Sequence, residues 1–329
     1  MKEYVSPFNI TNKMLDLVSD IMENIGKMDS YQNLNRMPIL RKNNRIKSIH
    51  SSLAIEANTL SFEQVQDVIN GKLVRGPKQE IDEVKNAYQA YEMMEYVEPF
   101  NLSDLKKVYG VMMNSLIDDA GCYRHGKEGV FDGEKCIFMA PGPEMVEELM
   151  NGLFSWLKTH QHDIHPLILS SVFHYEFVFI HPFSDGNGRM ARVWQNVILG
   201  NWKDLFYYLP IESQIKKYQD EYYRVIDQCN HAGNSTLFIE FILLMIDETI
   251  QSLVTNSHPT IEVDNPYIIK LLCVMEDHPM SANDIMRKLE IKSKETFRNT
   301  YLNPAIKAGF VRLTIPDKPT SKNQMYYKL

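Results

Sequence analysis

The sequence predicts a mainly α-helical protein that ends in a small mixed helix-and-strand domain. Two observations carry this. Apolar residues recur three or four apart over most of the chain up to Val254, and period-two alternation is confined to a few short segments. Beyond Ser257-His258-Pro259 and Asp264-Asn265-Pro266, both the punctuation and the charge change.

Helical spacing runs over Met14 to Met28, Phe62 to Ile69, Ile81 to Val97, Leu105 to Ile117, Glu144 to Leu157, Gln214 to Asp227 and Leu237 to Val254. Within Gly121 to Leu157, Val130-Phe131 and Cys136-Ile137-Phe138 flank Asp132-Gly133, the pattern of two short strands joined by a Gly-containing turn. Leu167 to Phe183 is almost wholly apolar, so it reads as a buried helix, stopped at Pro182 because proline lacks an N–H and disfavours helix at the preceding residue. Arg189 to Leu199 resumes the helical period. The tail then gives a helix from Tyr267 to Glu276, helices opened by Ser281 and by Ser293, and alternating residues in Phe310 to Ile315 and Gln324 to Leu329. This order resembles a winged helix-turn-helix. The expected division is an N-terminal helical region at 1–100, a core at 101–256, a linker at 257–265 and the winged domain at 266–329.

Composition fits a globular protein with a sizeable core: 329 residues, 44% hydrophobic and 23% charged, with net charge −7. The run LFIEFILLMI is short and broken by Glu240, and the first residues are mixed, so no membrane span is expected and the cytoplasm is the expected location. Cys122, Cys136, Cys229 and Cys273 lack C-x-x-C spacing and read as free thiols. His160, His162 and His165 read as a polar helix connection, not a metal site. Tyr222 and Tyr223 are assigned to packing rather than to stacking on a base. The scattered methionines are assigned to core filling.

The densest chemistry lies in His181 to Arg192, HPFSDGNGRMAR. Gly186 and Gly188 carry no Cβ, so Gly186-Asn187-Gly188 can turn successive N–H groups into one concavity that suits phosphate oxygens. The helix that follows adds its own N-terminal amides and the positive end of its dipole. Arg189 and Arg192, three apart, share a face from which guanidinium groups grip phosphate. Asp185 is a hard oxygen ligand suited to a Mg²⁺ that keeps its waters and bridges phosphates. His181, with an ordinary pKa of about 6.5, can accept the proton of an attacking hydroxyl. A nucleoside polyphosphate with a divalent metal is therefore the expected ligand.

The same twelve residues resemble the signature of the Fic (filamentation induced by cAMP) family, His-Pro-Phe-x-(Asp/Glu)-Gly-Asn-Gly-Arg-x-x-Arg, at every specified position. The resemblance implies a Fic-type helical core that moves AMP from ATP to a hydroxyl of a target protein, with pyrophosphate leaving. It makes His181 the general base and Asp185 the Mg²⁺ ligand. Gly186, Asn187, Gly188 and Arg189 would hold the α- and β-phosphates, and Arg192 the γ-phosphate. The hairpin would be the family's flap, with Val130, Phe131, Cys136, Ile137 and Phe138 docking the target by strand addition. His165, His174 and Tyr175 would mainly pack the core.

Near the N-terminus, Ser52-Leu53-Ala54-Ile55-Glu56-Ala57 resembles the inhibitory motif (Ser/Thr)-x-x-x-Glu-(Gly/Asn) of class II Fic proteins, with Ala57 where Gly or Asn is usual. Ser52 and Glu56 fall on one helical face. The resemblance implies that Glu56 pairs with Arg192 and keeps the enzyme off, and leaves removal of AMP as an open reverse reaction.

Residues 261–329 hold 11 Lys and Arg against 8 Asp and Glu, net +3, while the first 260 hold 24 against 34, net −10. In a winged helix, Lys292, Lys294 and Arg298 on the third helix and Lys318 and Lys322 on the wing would neutralise DNA phosphates. Glu295 and the small excess charge favour protein binding instead. The alternatives to a protein AMP-transferase are a DNA-associated regulator whose core senses nucleotide, and a Fic enzyme with another phosphate-linked donor. The sequence names no target protein and leaves a homo-oligomer open.

Overall fold

The computed structural model describes residues 4–31, 38–132, 135–257, 265–275, 278–307, 310–315, 318–319, 321 and 324–328. They divide into two compact units, Met1–Val254 and Thr255–Leu329. The first is helical apart from one hairpin: α1 (Asn12–Tyr31), α2 (Pro38–Ile55), α3 (Phe62–Ile69), α4 (Lys78–Met93), α5 (Leu102–Met112), β1 (Gly129–Asp132), β2 (Lys135–Met139), α6 (Pro143–His160), α7 (Pro166–Ile180), α8 (Asn187–Trp202), α9 (Ile211–Lys217), α10 (Gln219–Ala232) and α11 (Thr236–Ser257). No helix among the described residues is long and apolar enough to cross a membrane.

Helix α7 is apolar on all sides because it stands between two cores. Leu169, Phe173, Phe177 and Ile180 pack with Leu105, Tyr109, Leu153 and Trp194, while Ile168, Val172 and Tyr175 pack with Phe238, Ile242 and Ile246. Burying each such side chain contributes about 1.5–3 kcal/mol, so the helix that carries His181 is among the most firmly held in the molecule. His165 caps it, its Nδ1 accepting from the Leu167 amide at 3.3 Å. The next helix, α8, packs along α7 after a short loop and is buried nearly throughout, including its polar Arg189, Arg192, Gln195 and Asn196.

Several helices differ from their sequence expectation, three of them in the first unit with a clear local cause. The helix expected at 105–117 starts earlier, capped by Asn101, and gives way after Met112; Ser115 turns left-handed at φ 59°. That expected at 81–97 begins at Lys78 and tightens into a 3-10 turn over Met94–Tyr96. That expected at 214–227 is two helices broken at Tyr218, whose ψ of 35° is not helical. The break has a tertiary purpose: Lys216 and Gln219 from either side of it both reach the C-terminal carbonyls of α2.

The hairpin pairs β1 with β2 antiparallel, Gly129 against Met139 and Asp132 against Lys135, with a bulge between Val130 and Phe131. Its turn, 133–134, and the side chains of Val130, Phe131, Cys136 and Ile137 lie outside what is described. Phe138 is described, its ring 5.5 Å from that of Phe179 on α7.

The second unit runs α12 (Pro266–Val274), β3 (Met280–Ser281), α13 (Ala282–Lys288), α14 (Lys294–Thr296), a π turn over Phe297–Leu302, α15 (Asn303–Lys307), β4 (Val311–Leu313) and β5 (Met325–Lys328). Its strands form an antiparallel sheet in the order β3-β5-β4. Ser281 and Ser293 cap the helices they precede. Leu271, Ile285, Phe297, Leu302 and Val311 make its core. The expected linker falls mostly on 258–264, and Lys322, expected on the wing, also lies outside the described residues.

Candidate active site

His181 closes α7 as its C-cap in the left-handed region, φ 51° and ψ 59°, a conformation uncommon outside glycine and tolerated where the surroundings dictate it. Its Nδ1 lies 3.4 Å from the Val178 carbonyl. A carbonyl only accepts, so Nδ1 carries the proton and Nε2 keeps its lone pair. Burial holds the ring's pKa below its ordinary value, opposed by the Val178 bond and helped by the Arg124 charge. The ring is thus held neutral, with an Nε2 lone pair that can accept a proton.

The loop from His181 to Asn187 is fastened from within. Asn187 Oδ1 accepts from the Phe183 amide at 3.0 Å, and its Nδ2 donates to the Phe183 carbonyl at 2.8 Å. Phe183 stacks on Tyr109, centroids 3.5 Å apart, and the Tyr109 hydroxyl donates to the Asp185 carbonyl. The Asn187 side chain is therefore committed to the loop, leaving only its backbone for a ligand. Of the two glycines, only Gly186 is left-handed, at φ 76°. Gly188 lies inside the first turn of α8, and its hydrogen is needed for room: a Cβ there would meet Glu56 Oε1 at 2.5 Å and Arg192 Nη1 at 3.1 Å. The expectation of a nest turned by both glycines is corrected to a helix N-terminus entered through one, because the first turn of α8 already aligns its unpaired amides.

The two arginines are held by the chain's own acids. Arg192, buried, donates through Nε to the Ser52 hydroxyl at 3.0 Å and through Nη2 to the Ser52 carbonyl at 3.0 Å and Glu56 Oε1 at 2.7 Å. Arg189 donates through Nη2 to Asp185 Oδ2 at 2.9 Å, and its Nη1 is 3.8 Å from Glu83 Oε1. Two donors remain unused: Arg192 Nη1 and Arg189 Nε are buried without a hydrogen-bond partner among the described residues. Buried guanidinium N–H groups without acceptors are costly, and Arg192 Nη1 lies beside Gly188 in the first turn of α8, where an anion could supply an acceptor. Asp185 is largely exposed, its side chain 58% accessible, and a lone exposed carboxylate beside phosphate donors fits a Mg²⁺ that keeps its waters. No group of three or more metal-ligating side chains occurs among the described residues.

Helix α2 ends in a Schellman cap: the Asn58 amide donates to Leu53 O at 3.1 Å, and the Ala57 amide to Ala54 O at 3.3 Å. The residue at the turn of that cap must be left-handed, and Ala57 is, at φ 66°. This is the physical reason Gly or Asn suits the position. The cap is reinforced by Lys216 Nζ on Ala54 O at 2.8 Å and Gln219 Nε2 on Ile55 O at 3.0 Å.

Sequence reasoning missed the shell behind Arg192. Glu212, buried, accepts from Ser48, Tyr91 and Asn196, joining α2, α4 and α8. Tyr222 is buried with its hydroxyl 2.9 Å from His174 Nε2, and His174 Nδ1 is 2.6 Å from Gln195 Oε1. No spacing rule could have found these contacts, because each pair is distant in sequence.

Residues 99–199 match the Fic/DOC family, and residues 266–329 match the C-terminal domain of Fic-like filamentation induced by cAMP proteins. A Fic family protein from Desulfovibrio desulfuricans G20, known by its crystal structure, is 42% identical, with 99% of this chain and 98% of that one covered and a TM-score of 0.73. The chain belongs to the Fic family. This Fic protein is also 30% identical to the protein adenylyltransferase Fic of Nematostella vectensis over 219 residues, 62% of this chain and 47% of that one, and 28% identical to its namesake in Aedes aegypti. It spans about half the length of these relatives or less. A Fic domain protein of Bacteroides thetaiotaomicron shares the fold, with a TM-score of 0.61 at 19% identity and 75% and 98% of the two chains covered.

Proposed function

We propose that this Fic protein transfers AMP from ATP to a hydroxyl side chain of a target protein, and that Glu56 restrains it. The observation that carries the reading is the pair of buried, unused donors, Arg192 Nη1 and Arg189 Nε, beside the amides of the α8 N-terminus and a neutral His181. In the reaction the target hydroxyl oxygen forms a bond to the α-phosphorus, and the bond from that phosphorus to the bridging oxygen breaks. His181 Nε2 takes the hydroxyl proton and pyrophosphate leaves. Gly186, Asn187 and Gly188 would offer backbone amides, Arg189 would hold the α- and β-phosphates, and Arg192 the γ-phosphate. Asp185 would hold Mg²⁺, which when bound offsets phosphate charge; to do so it would release both Arg189 and the Gly186 amide, which it now accepts from, to the nucleotide. The hairpin would hold the target by strand addition.

Glu56 supports restraint in two ways. Its carboxylate uses Arg192 Nη2, and it stands over Gly188, in the space an anion at the α8 N-terminus would enter. It therefore substitutes for a phosphate, as class II Fic proteins would require. The order of elements and the β3-β5-β4 sheet of the second unit support a winged helix, and the exposed Lys292, Lys294 and Arg298, with Glu295 exposed among them, leave DNA as the alternative to a protein partner. ATP and target would be met in the cytoplasm.

The experiment incubates Glu56→Gly protein with Mg²⁺, α-labelled ATP and a bacterial lysate, with Glu56→Gly/His181→Ala as control. Label on protein that requires His181 supports the reading; its absence, with ATP binding confirmed by calorimetry, rejects it in favour of a nucleotide sensor or another donor.

A further inference from the structure

The Arg124 side chain touches both stems of the hairpin and the catalytic loop. It is 2% exposed, and every hydrogen bond its guanidinium makes among the described residues goes to a main-chain carbonyl. Nε donates to His181 O at 2.6 Å, Nη1 to Gly126 O at 2.7 Å, and Nη2 to Pro141 O and to Ile180 O at 3.4 Å. Its own amide donates to Pro182 O at 3.0 Å. Gly126 precedes β1 and Pro141 follows β2, and between them the Ala140 amide donates to Glu128 O at 3.0 Å.

No ion pair with a carboxylate accompanies these bonds among the described residues, which is unusual for so buried a cation. A planar group with donors in a fixed fork can span carbonyls from three segments; a lysine ammonium is a point donor on a flexible stem and cannot. The bonds to Ile180 and His181 fall on the residues where α7 gives way to the left-handed turn that aims the His181 ring. The hairpin thus shares one rigid attachment with the base.

The geometry points to Arg124 as a positioning residue that fixes the hairpin stems relative to the His181 backbone, so that a target strand laid on the hairpin presents its hydroxyl to Nε2. This rests on the proposed reaction, which it deepens by naming what sets the distance between target and base. Arg124 touches neither nucleotide donors nor the reacting atoms, so it acts on alignment with the target and not on ATP.

The test compares Arg124→Lys and Arg124→Met with their Glu56→Gly parent by three measurements: His181-dependent label transfer to lysate protein, Mg²⁺-ATP affinity by calorimetry, and amide hydrogen exchange by mass spectrometry. Transfer is expected to fall by about 10- to 100-fold, as for an ångström-scale misplacement, with ATP affinity within about twofold. Exchange should rise by about tenfold in 125–129 and 138–142 while α7 and α8 stay protected. Parallel loss of ATP affinity and protection in α7 and α8 would make Arg124 merely structural and overturn the inference, as would unchanged exchange at the stems. Failure of the underlying reading is separately visible: the parent would then show no His181-dependent label, while the exchange pattern would still judge the attachment.

Discussion

Glu56 and Arg192 are 136 positions apart in sequence, yet Glu56 Oε1 lies 2.7 Å from Arg192 Nη2. The arginine is fully buried while the glutamate side chain is 35% exposed, so one partner is fixed in the wall and the other is reachable from solvent. The same carboxylate oxygen would meet a Cβ on Gly188 at 2.5 Å, so under the proposed reaction ATP and Glu56 would compete for one place.

Glu56→Gly should therefore raise Mg²⁺-ATP affinity and label transfer together while lowering stability. The loss is expected to be about 1–2 kcal/mol, below the cost for a wholly buried pair because Glu56 is partly solvated and Ser52 still accepts from Arg192. Thermal melts with and without Mg²⁺-ATP check it. Nucleotide should raise the variant's midpoint more than the wild type's; an equal rise would remove competition from the account.

Ala57→Gly should do the opposite. Left-handed backbone costs a non-glycine residue about 1–2 kcal/mol, partly offset by the extra freedom glycine gains when unfolded. The variant should melt higher by calorimetry and transfer less label than wild type, because a relaxed cap holds Glu56 in place more often. A lower midpoint would show that the cap tolerates alanine without strain.

His181 predicts a pH profile. Its pKa lies below the ordinary value because burial disfavours the charged ring, and removal of the Glu56 charge, which favours it, lowers it further. In Glu56→Gly, kcat/KM for ATP should stay level as pH falls from 8 and decline with a midpoint below about 6.5. A midpoint at or above that value would mean that the free ring is not held neutral by its surroundings.

His174 predicts acid sensitivity of the fold. Burial between Gln195 and Tyr222 pushes its pKa down to about 3, so the unfolded chain binds the extra proton between there and about 6.5. Its contribution is complete above about 6.5 and is lost as pH falls toward the folded value. Urea midpoints at pH 7 and pH 5 should fall further apart in wild type than in His174→Asn; identical differences would exclude the ring as the titrating group.

Much of the molecule was legible in the chain because it depends on local periodicity. The apolar run of α7, its stop before Pro182, the serine caps of the second unit and the compact cluster from His181 to Arg192 are all short-range patterns, fixed by backbone chemistry within a few residues. What only the tertiary structure decided has a common physical form: a buried polar group must find its partner wherever the packed chain brings one. That requirement added the Ser52 hydroxyl and carbonyl to the Glu56–Arg192 pair that the resemblance implied, placed Glu212 among Ser48, Tyr91 and Asn196, and split α9 from α10 so that Lys216 and Gln219 could cap α2. The same requirement turned Arg124 onto the carbonyls of three segments. Residue type and spacing determined the chemistry available to this protein; satisfaction of its buried polar groups decided which of those residues meet.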